Sequence, residues 1–378
     1  MRSIMSLMGL LLGLTLTGRT DAAEITIDVD TALANRLLTL SCSGQPVDEA
    51  EFAASSLLKA QLAHHARFGE KYSLENYVAG VRSIAACKAP DPDPFRFTAL
   101  VTQRGQMAKA IATLSARKAE LGDGAAALTT PYVPAGTRFA GSVVLAPATL
   151  SCGGFARGGH FFIDLPCIAE QVEGEFDAVR RLVAHETYHA VQGEFMPDPK
   201  ASLSTVATPA EAHEYLFHRL AAEGSATYVA RMAEVAGDGR YATRSREDAR
   251  RNRSRLTYNF RLFNLVVEAL AEPRQDYGAH FKELYGLAFD GAFGELSYFV
   301  GEQMAAEIDR DFGPQALVCV LSLPPEHFIL AYDQALRTSE RLEKSYPLTQ
   351  ATLAAAQGLS RTRENGPSLG RCLPGAPG

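Results

Sequence analysis

The chain has no tryptophan, no cysteines at C-x-x-C spacing, no excess of basic residues and no internal repeat. The missing tryptophan excludes nothing by itself. The cysteine spacings exclude the usual thiolate zinc site. A net charge of −6 speaks against a nucleic-acid or polybasic membrane binder. The arginine-rich stretch 244–255 does not change this, because Glu247 and Asp248 interrupt it and give it the look of a solvated helix face. Beyond the N-terminus, no apolar run is long enough to span a bilayer, so no stable membrane anchor is expected.

The N-terminus reads as a secretory signal over residues 1–23. Arg2 supplies the charge, residues 4–16 a short apolar core, and Ala22 and Ala23 the small residues for cleavage. The first cysteine is Cys42, too far from the apolar core for a lipid-anchored precursor. All six cysteines follow the cleavage point, and an even count in an exported chain points to disulfides. Several pairings are open; the expected one is Cys42–Cys87, Cys152–Cys167 and Cys319–Cys372, with the middle pair stapling strands beside the functional site. A periplasmic or secreted location follows.

The most informative residues are His185-Glu186-Thr187-Tyr188-His189, an H-E-x-x-H pattern. Residues four apart share a helix face, so both imidazoles can reach one metal ion. Glu186 is turned by about 100° from His185, beside that ion, where a carboxylate can take a proton from water. The run 176–195 reads as an amphipathic helix, with Phe176, Val179, Leu182, Val183 and Ala190 on its buried stripe and the histidines at the stripe's edge. Gly174 punctuates the segment before it and Gly193 its end.

A catalytic zinc ion usually takes three protein ligands. A second helix is expected over 209–235, with Thr208 as N-cap, Pro209 at the first helical position and Glu211 in the first turn. It carries Glu223 in Glu-Gly-Ser-Ala, the first choice for third ligand. Small Gly224 and Ala226 would let the two helices approach. Rival ligands on this helix are His213, His218, Glu211 and Glu214. His213 is the nearest competitor, His218 and Glu214 project to the far side, and the two glutamates read as a solvated face.

H-E-x-x-H followed by E-G-x-A on a later helix resembles the gluzincin group of metallopeptidases, and most of all the bacterial zinc-dependent peptidases of that type. The resemblance covers roughly residues 141–230. It implies zinc held by His185, His189 and Glu223, with Glu186 as the base. The separation between His189 and Glu223 is longer than in the best-known gluzincins; the extra residues, 196–207, read as a loop. Such enzymes often take an oxyanion donor from a later helix. Tyr298 is the first choice, with His160, Tyr258, Tyr285 and His280 as alternatives. Thr227 and Asp164 are candidates for orienting the zinc histidines.

Strands are expected over 141–146 and 160–165, around a glycine-rich stretch at 151–159. They form either an edge that an extended peptide can join or a plain hairpin. Helices are expected over 31–40, 48–68, 73–87, 95–121, 255–270 and 294–311, with a turn-rich linker at 122–136. The fold class is mainly α with a small β-sheet. The expected organisation is an N-terminal helical region (24–136), a zincin-like core (137–240), a C-terminal helical region (241–365) and an irregular tail (366–378). His64 and His65 read as ordinary surface residues, since adjacent helix positions do not share a face. The function so indicated is an exported zinc metallohydrolase, a peptidase acting on peptide or protein substrates. The alternatives are a hydrolase of a non-peptide amide or ester, and a binding protein with a structural zinc site.

Overall fold

The computed structural model describes residues 22–66, 69–146, 154–157, 159–338, 346–363 and 368–373. The expected signal segment lies almost wholly outside them. The fold is mainly α with one small mixed sheet among the described residues, in the order β1-β2-β4-β3. β1 (Glu24–Asp30) runs parallel to β2 (Arg138–Ala146), with Glu24 opposite Arg138 and Asp30 opposite Val144. β2 runs parallel to β4 (His160–Asp164), and the short β3 (Gly154–Arg157) pairs antiparallel with β4 on the outside.

Among the described residues, seven α-helices lie between β1 and β2: α1 (Ala32–Leu40), α2 (Glu49–Ala54), α3 (Ser56–His65), α4 (Leu74–Ala85), α5 (Thr98–Thr102), α6 (Arg104–Ala116) and α7 (Lys118–Thr129). After the sheet come α8 (Leu165–Ile168), α9 (Val172–Phe195) and α10 (Pro209–Ala230). The remainder is helical: α11 (Arg240–Ser254), α12 (Leu256–Leu270), α13 (Tyr277–Phe289), α14 (Leu296–Phe312), α15 (Pro314–Leu321), α16 (Glu326–Thr338) and α17 (Gln350–Arg361).

Several expectations change. β1 was not anticipated, although Glu-Ile-Thr-Ile-Asp-Val-Asp alternates as a half-buried strand should, with Ile25 in the core. β2 and β4 are parallel neighbours, not a hairpin. The outer strand is β3, inside the glycine-rich stretch 151–159, where no strand was expected. The 122–136 linker is largely helix, because α7 packs Leu121 and Ala125 into the core. The helix expected over 48–68 breaks at Ser55, whose hydroxyl accepts the Leu58 N–H at 3.2 Å and starts α3 afresh.

Cys42–Cys87 and Cys319–Cys372 form as expected, and the second ties residues beside buried Leu373 to α15. Cys167 is also disulfide-bonded; its expected partner, Cys152, lies outside the described residues.

Two large apolar cores form. One gathers α1, α4, α6, the inward face of the sheet and the first half of α9, through Val172, Phe176, Val179 and Val183. The other gathers α10, α12, α14 and α16, and receives Tyr188 and Val191 from the second half of α9. α9 therefore passes from one core into the other, and the H-E-x-x-H segment lies at the crossing.

α10 is built as the sequence indicates at its start. The Thr208 hydroxyl accepts the Glu211 N–H at 3.3 Å, and the Glu211 carboxylate accepts the Thr208 N–H at 3.1 Å. It ends earlier than expected, at Ala230, where Arg231 turns to φ 50°. Arg181 of α9 caps that end, donating to the carbonyls of Ala230 at 3.2 Å and Arg231 at 2.9 Å. Gly224 does not serve the approach to α9. A Cβ there would lie 2.3 Å from Gly301 on α14, and one on Gly301 would lie 2.4 Å from the Leu220 carbonyl. α10 and α14 thus touch backbone to backbone.

Candidate metal centre

His185 and His189 stand one turn apart on α9, both partly exposed, with their Nε2 atoms 3.0 Å apart. Buried Glu223 reaches across from α10. Its Oε2 lies 3.0 Å from His189 Nε2 and 3.6 Å from His185 Nε2. Ligands around a tetrahedral zinc with bonds of 2.0–2.1 Å sit about 3.3 Å from one another. The three atoms already form a triangle of nearly that size, so the cluster could hold a metal ion and the donor set fits zinc.

The ligand atoms have further supports. His189 Nδ1 faces the Gln192 Oε1 at 2.9 Å, which directs Nε2 of the neutral ring towards the cluster. Gln192 in turn donates to Ser225 Oγ at 2.8 Å and the Ala222 carbonyl at 3.3 Å, so α9 and α10 are joined behind the histidine. Sequence reasoning looked to Thr227 and Asp164 for this role and passed over Gln192, although i, i+3 spacing from His189 could have suggested it. His185 Nδ1 is buried and has no such partner.

Arg219 is a second residue missed. Its guanidinium contacts the outer carboxylate oxygen, Oε1, of Glu223 from one turn earlier on α10. Burial alone would raise the Glu223 pKa, but the charges of His189 and Arg219 outweigh it and hold the carboxyl well below its usual range. Burial likewise works against a charged His189, and Glu223 overrides it, leaving His189 above the ordinary imidazole value.

Two cavities meet at this cluster. The larger, about 860 Å³, is lined by His185, Glu186, His189, Arg219, Glu223 and Tyr298 and runs along β3 past Phe155 and Arg157. The smaller, about 330 Å³, lies on the other side of Glu186, and Gly154, His185, Glu186 and Tyr298 border both. Glu186 is 9% exposed. Burial, reinforced by Glu223, pushes the Tyr298 phenol well above its normal pKa, so it remains a hydrogen-bond donor.

The other sequence candidates are distributed as follows. His213 bonds to the Val267 carbonyl at 2.9 Å and stacks on Phe217, facing the C-terminal core. Glu211 is committed to the cap. Glu214 is buried and paired with Arg363 at 2.6 Å, not solvated. His218 was expected on the far side but lines the larger cavity, where burial and Arg219 press its pKa down to about 4. Tyr285 neighbours Arg219, whereas Tyr258 is 64% exposed, His160 contacts Ser142 at 2.7 Å and His280 meets the Ala269 carbonyl at 3.3 Å. The adjacent histidines of α3 are not ordinary surface residues. His65 is buried, and His64 stacks on Phe155 of β3 at 3.7 Å and borders the larger cavity.

Residues 61–341, most of the chain, match the family model described as "Putative zinc dependent peptidase (DUF5700)". The chain belongs to this family. No curated protein and no solved structure matches it. For a member of the DUF5700 family, the His-His-Glu cluster agrees with the metal in the family's description.

Proposed function

We propose that this DUF5700 protein is an exported zinc-dependent peptidase of gluzincin type, with zinc held by His185, His189 and Glu223. The observation that carries the reading is the near-tetrahedral triangle of Nε2, Nε2 and Oε2 atoms beside Glu186, at the junction of two cavities. When bound, zinc supplies Lewis acidity, lowering the pKa of water towards about 7 and polarising a carbonyl.

The chain's own residues do the rest. Glu186 takes the proton of the attacking water and passes it to the departing amine. Tyr298, kept protonated, donates to the oxygen that gains charge as the carbonyl carbon becomes tetrahedral. Gln192 and Arg219 fix the His189 ring and the Glu223 carboxylate, so neither has to be ordered during turnover.

A peptide, rather than a small amide or ester, is favoured by β3. One edge of this strand is unpaired among the described residues, and its residues line the larger cavity. An extended main chain can bond along that edge. Export is supported by the charged and apolar N-terminal sequence and by the Cys42–Cys87 and Cys319–Cys372 disulfides; no helix among the described residues is long and apolar enough to cross a membrane.

The test measures metal content and hydrolysis of a mixed peptide library together. Glu186→Gln should retain zinc and lose activity by a factor on the order of 10² to 10⁴. Full activity in that variant removes Glu186 from the mechanism, and wild-type protein that neither contains nor takes up zinc ends the proposal.

A further inference from the structure

The smaller cavity is not used by any hydrolytic step described so far. Leu182, Met232 and Phe299 give it apolar walls, and Glu186 and Tyr298 line it as well. Its lining also carries the charged residues Arg244, Asp248 and Glu295. Asp248 is already committed, facing Arg244 at 3.6 Å and Arg251 at 3.0 Å. Arg244 is 74% exposed. Glu295 makes no ion pair among the described residues. Three carboxylates, Glu186, Asp248 and Glu295, therefore line the cavity with one arginine, Arg244, and the lining carries an excess of negative charge.

The backbone at Glu295 is unusual. The residue sits in the left-handed region at φ 53°, immediately before α14, and its carbonyl accepts the Tyr298 N–H at 3.0 Å. The residue as a whole stands at the surface, but its carboxyl is crowded. Burial and then the negative charges of Asp248 and Glu223 push its pKa above the ordinary range, against the smaller opposing pull of Arg244 and His185.

We propose that the smaller cavity is a side-chain subsite selecting lysine or arginine next to the scissile bond, with Glu295 as the residue that reads the charge. The aliphatic stem of either side chain would lie against Leu182, Met232 and Phe299, and its cationic end would meet the Glu295 carboxylate. The apolar walls explain the stem, and the charged lining explains the sign. An acidic side chain would meet the like charges of Glu295 and Glu186. This rests on the peptidase reading, since the cavity matters only if a peptide crosses Glu186.

Two measurements on the zinc-loaded protein test it. Cleavage sites in a randomised peptide library, read by mass spectrometry, should show Lys and Arg enriched at one position flanking the cut. Glu295→Gln should lower the ratio of kcat/KM for Arg over Leu at that position by about tenfold, and Glu295→Lys should shift it towards Asp and Glu. Binding of the tripeptides Ala-Arg-Ala and Ala-Leu-Ala to the Glu186→Gln protein, followed by calorimetry, needs no turnover. The arginine peptide should bind about tenfold tighter, and adding Glu295→Gln should erase the difference. Cleavage without basic preference, or equal binding of the two peptides, overturns the subsite. If no peptide is cleaved, the peptidase reading falls, and the binding comparison still decides what the cavity selects.

Discussion

α9 and α10 each bring part of the candidate centre, but they are held in place by different means. On α9 the spacing of His185, Glu186 and His189 is a property of the helix itself: any unbroken helix puts residues four apart on one face. On α10 the position of Glu223 is a property of the tertiary structure. It depends on the contact between Gly224 and Gly301, on the Arg181 cap at the far end of the helix, and on Arg219 gripping the outer oxygen. The difference teaches that a metal site can be half local and half global. Damage to the first half should be confined to chemistry, while damage to the second should spread to the fold.

Three substitutions probe that contrast. Glu223→Ala removes the contribution of α10 outright. Zinc affinity, measured by competition with a chelator, should fall by more than the 10- to 100-fold typical of losing an outer hydrogen-bond partner. If His213→Ala does this instead, the ligand assignment is wrong.

Gly224→Ala leaves every candidate ligand in place but puts a methyl group into the α14 backbone. It should cost about 1–3 kcal/mol of stability by denaturant unfolding and weaken zinc as well, because Glu223 is the preceding residue. An unchanged unfolding midpoint would mean the helices can part without cost.

Gln192→Ala has the smallest expected effect. It frees the His189 ring and cuts the link to Ser225, so zinc affinity should drop about tenfold with little change in stability. A drop as large as that of Glu223→Ala would show that α9 is no more self-sufficient than α10.

The same division explains what could be read before the structure was seen. The helix bearing the two histidines, the Thr208 N-cap of α10, and the Cys42–Cys87 and Cys319–Cys372 bonds follow from short-range patterns or nearest pairing along the chain. The mainly helical class follows from periodicity. β3 was illegible because four residues beginning with glycine carry no strand signal; only β4 makes it a strand. α7 was hidden by its glycines, since propensity read without tertiary context favours a turn there. The partner of Gly224 could not be inferred, because a small residue announces a close approach without saying to what. Arg219 and His64 were overlooked for a related reason. Arg219 has a charged partner one turn away, yet what makes that pair notable is its burial, and His64 owes its place to a strand remote in sequence.

The glycine contact has a consequence for anyone who would alter this molecule. Gly224 and Gly301 act as a common origin from which two distances are counted: one residue back to Glu223, three residues back to Tyr298. Inserting a single residue between Tyr298 and Gly301 would rotate the phenol by about 100° around its helix while the carboxylate stayed put. Lengthening the chain before Leu296 would leave both counts intact. The length of α14 between Tyr298 and Gly301 is therefore tied to the geometry of the site, and that of the chain before Glu295 is not.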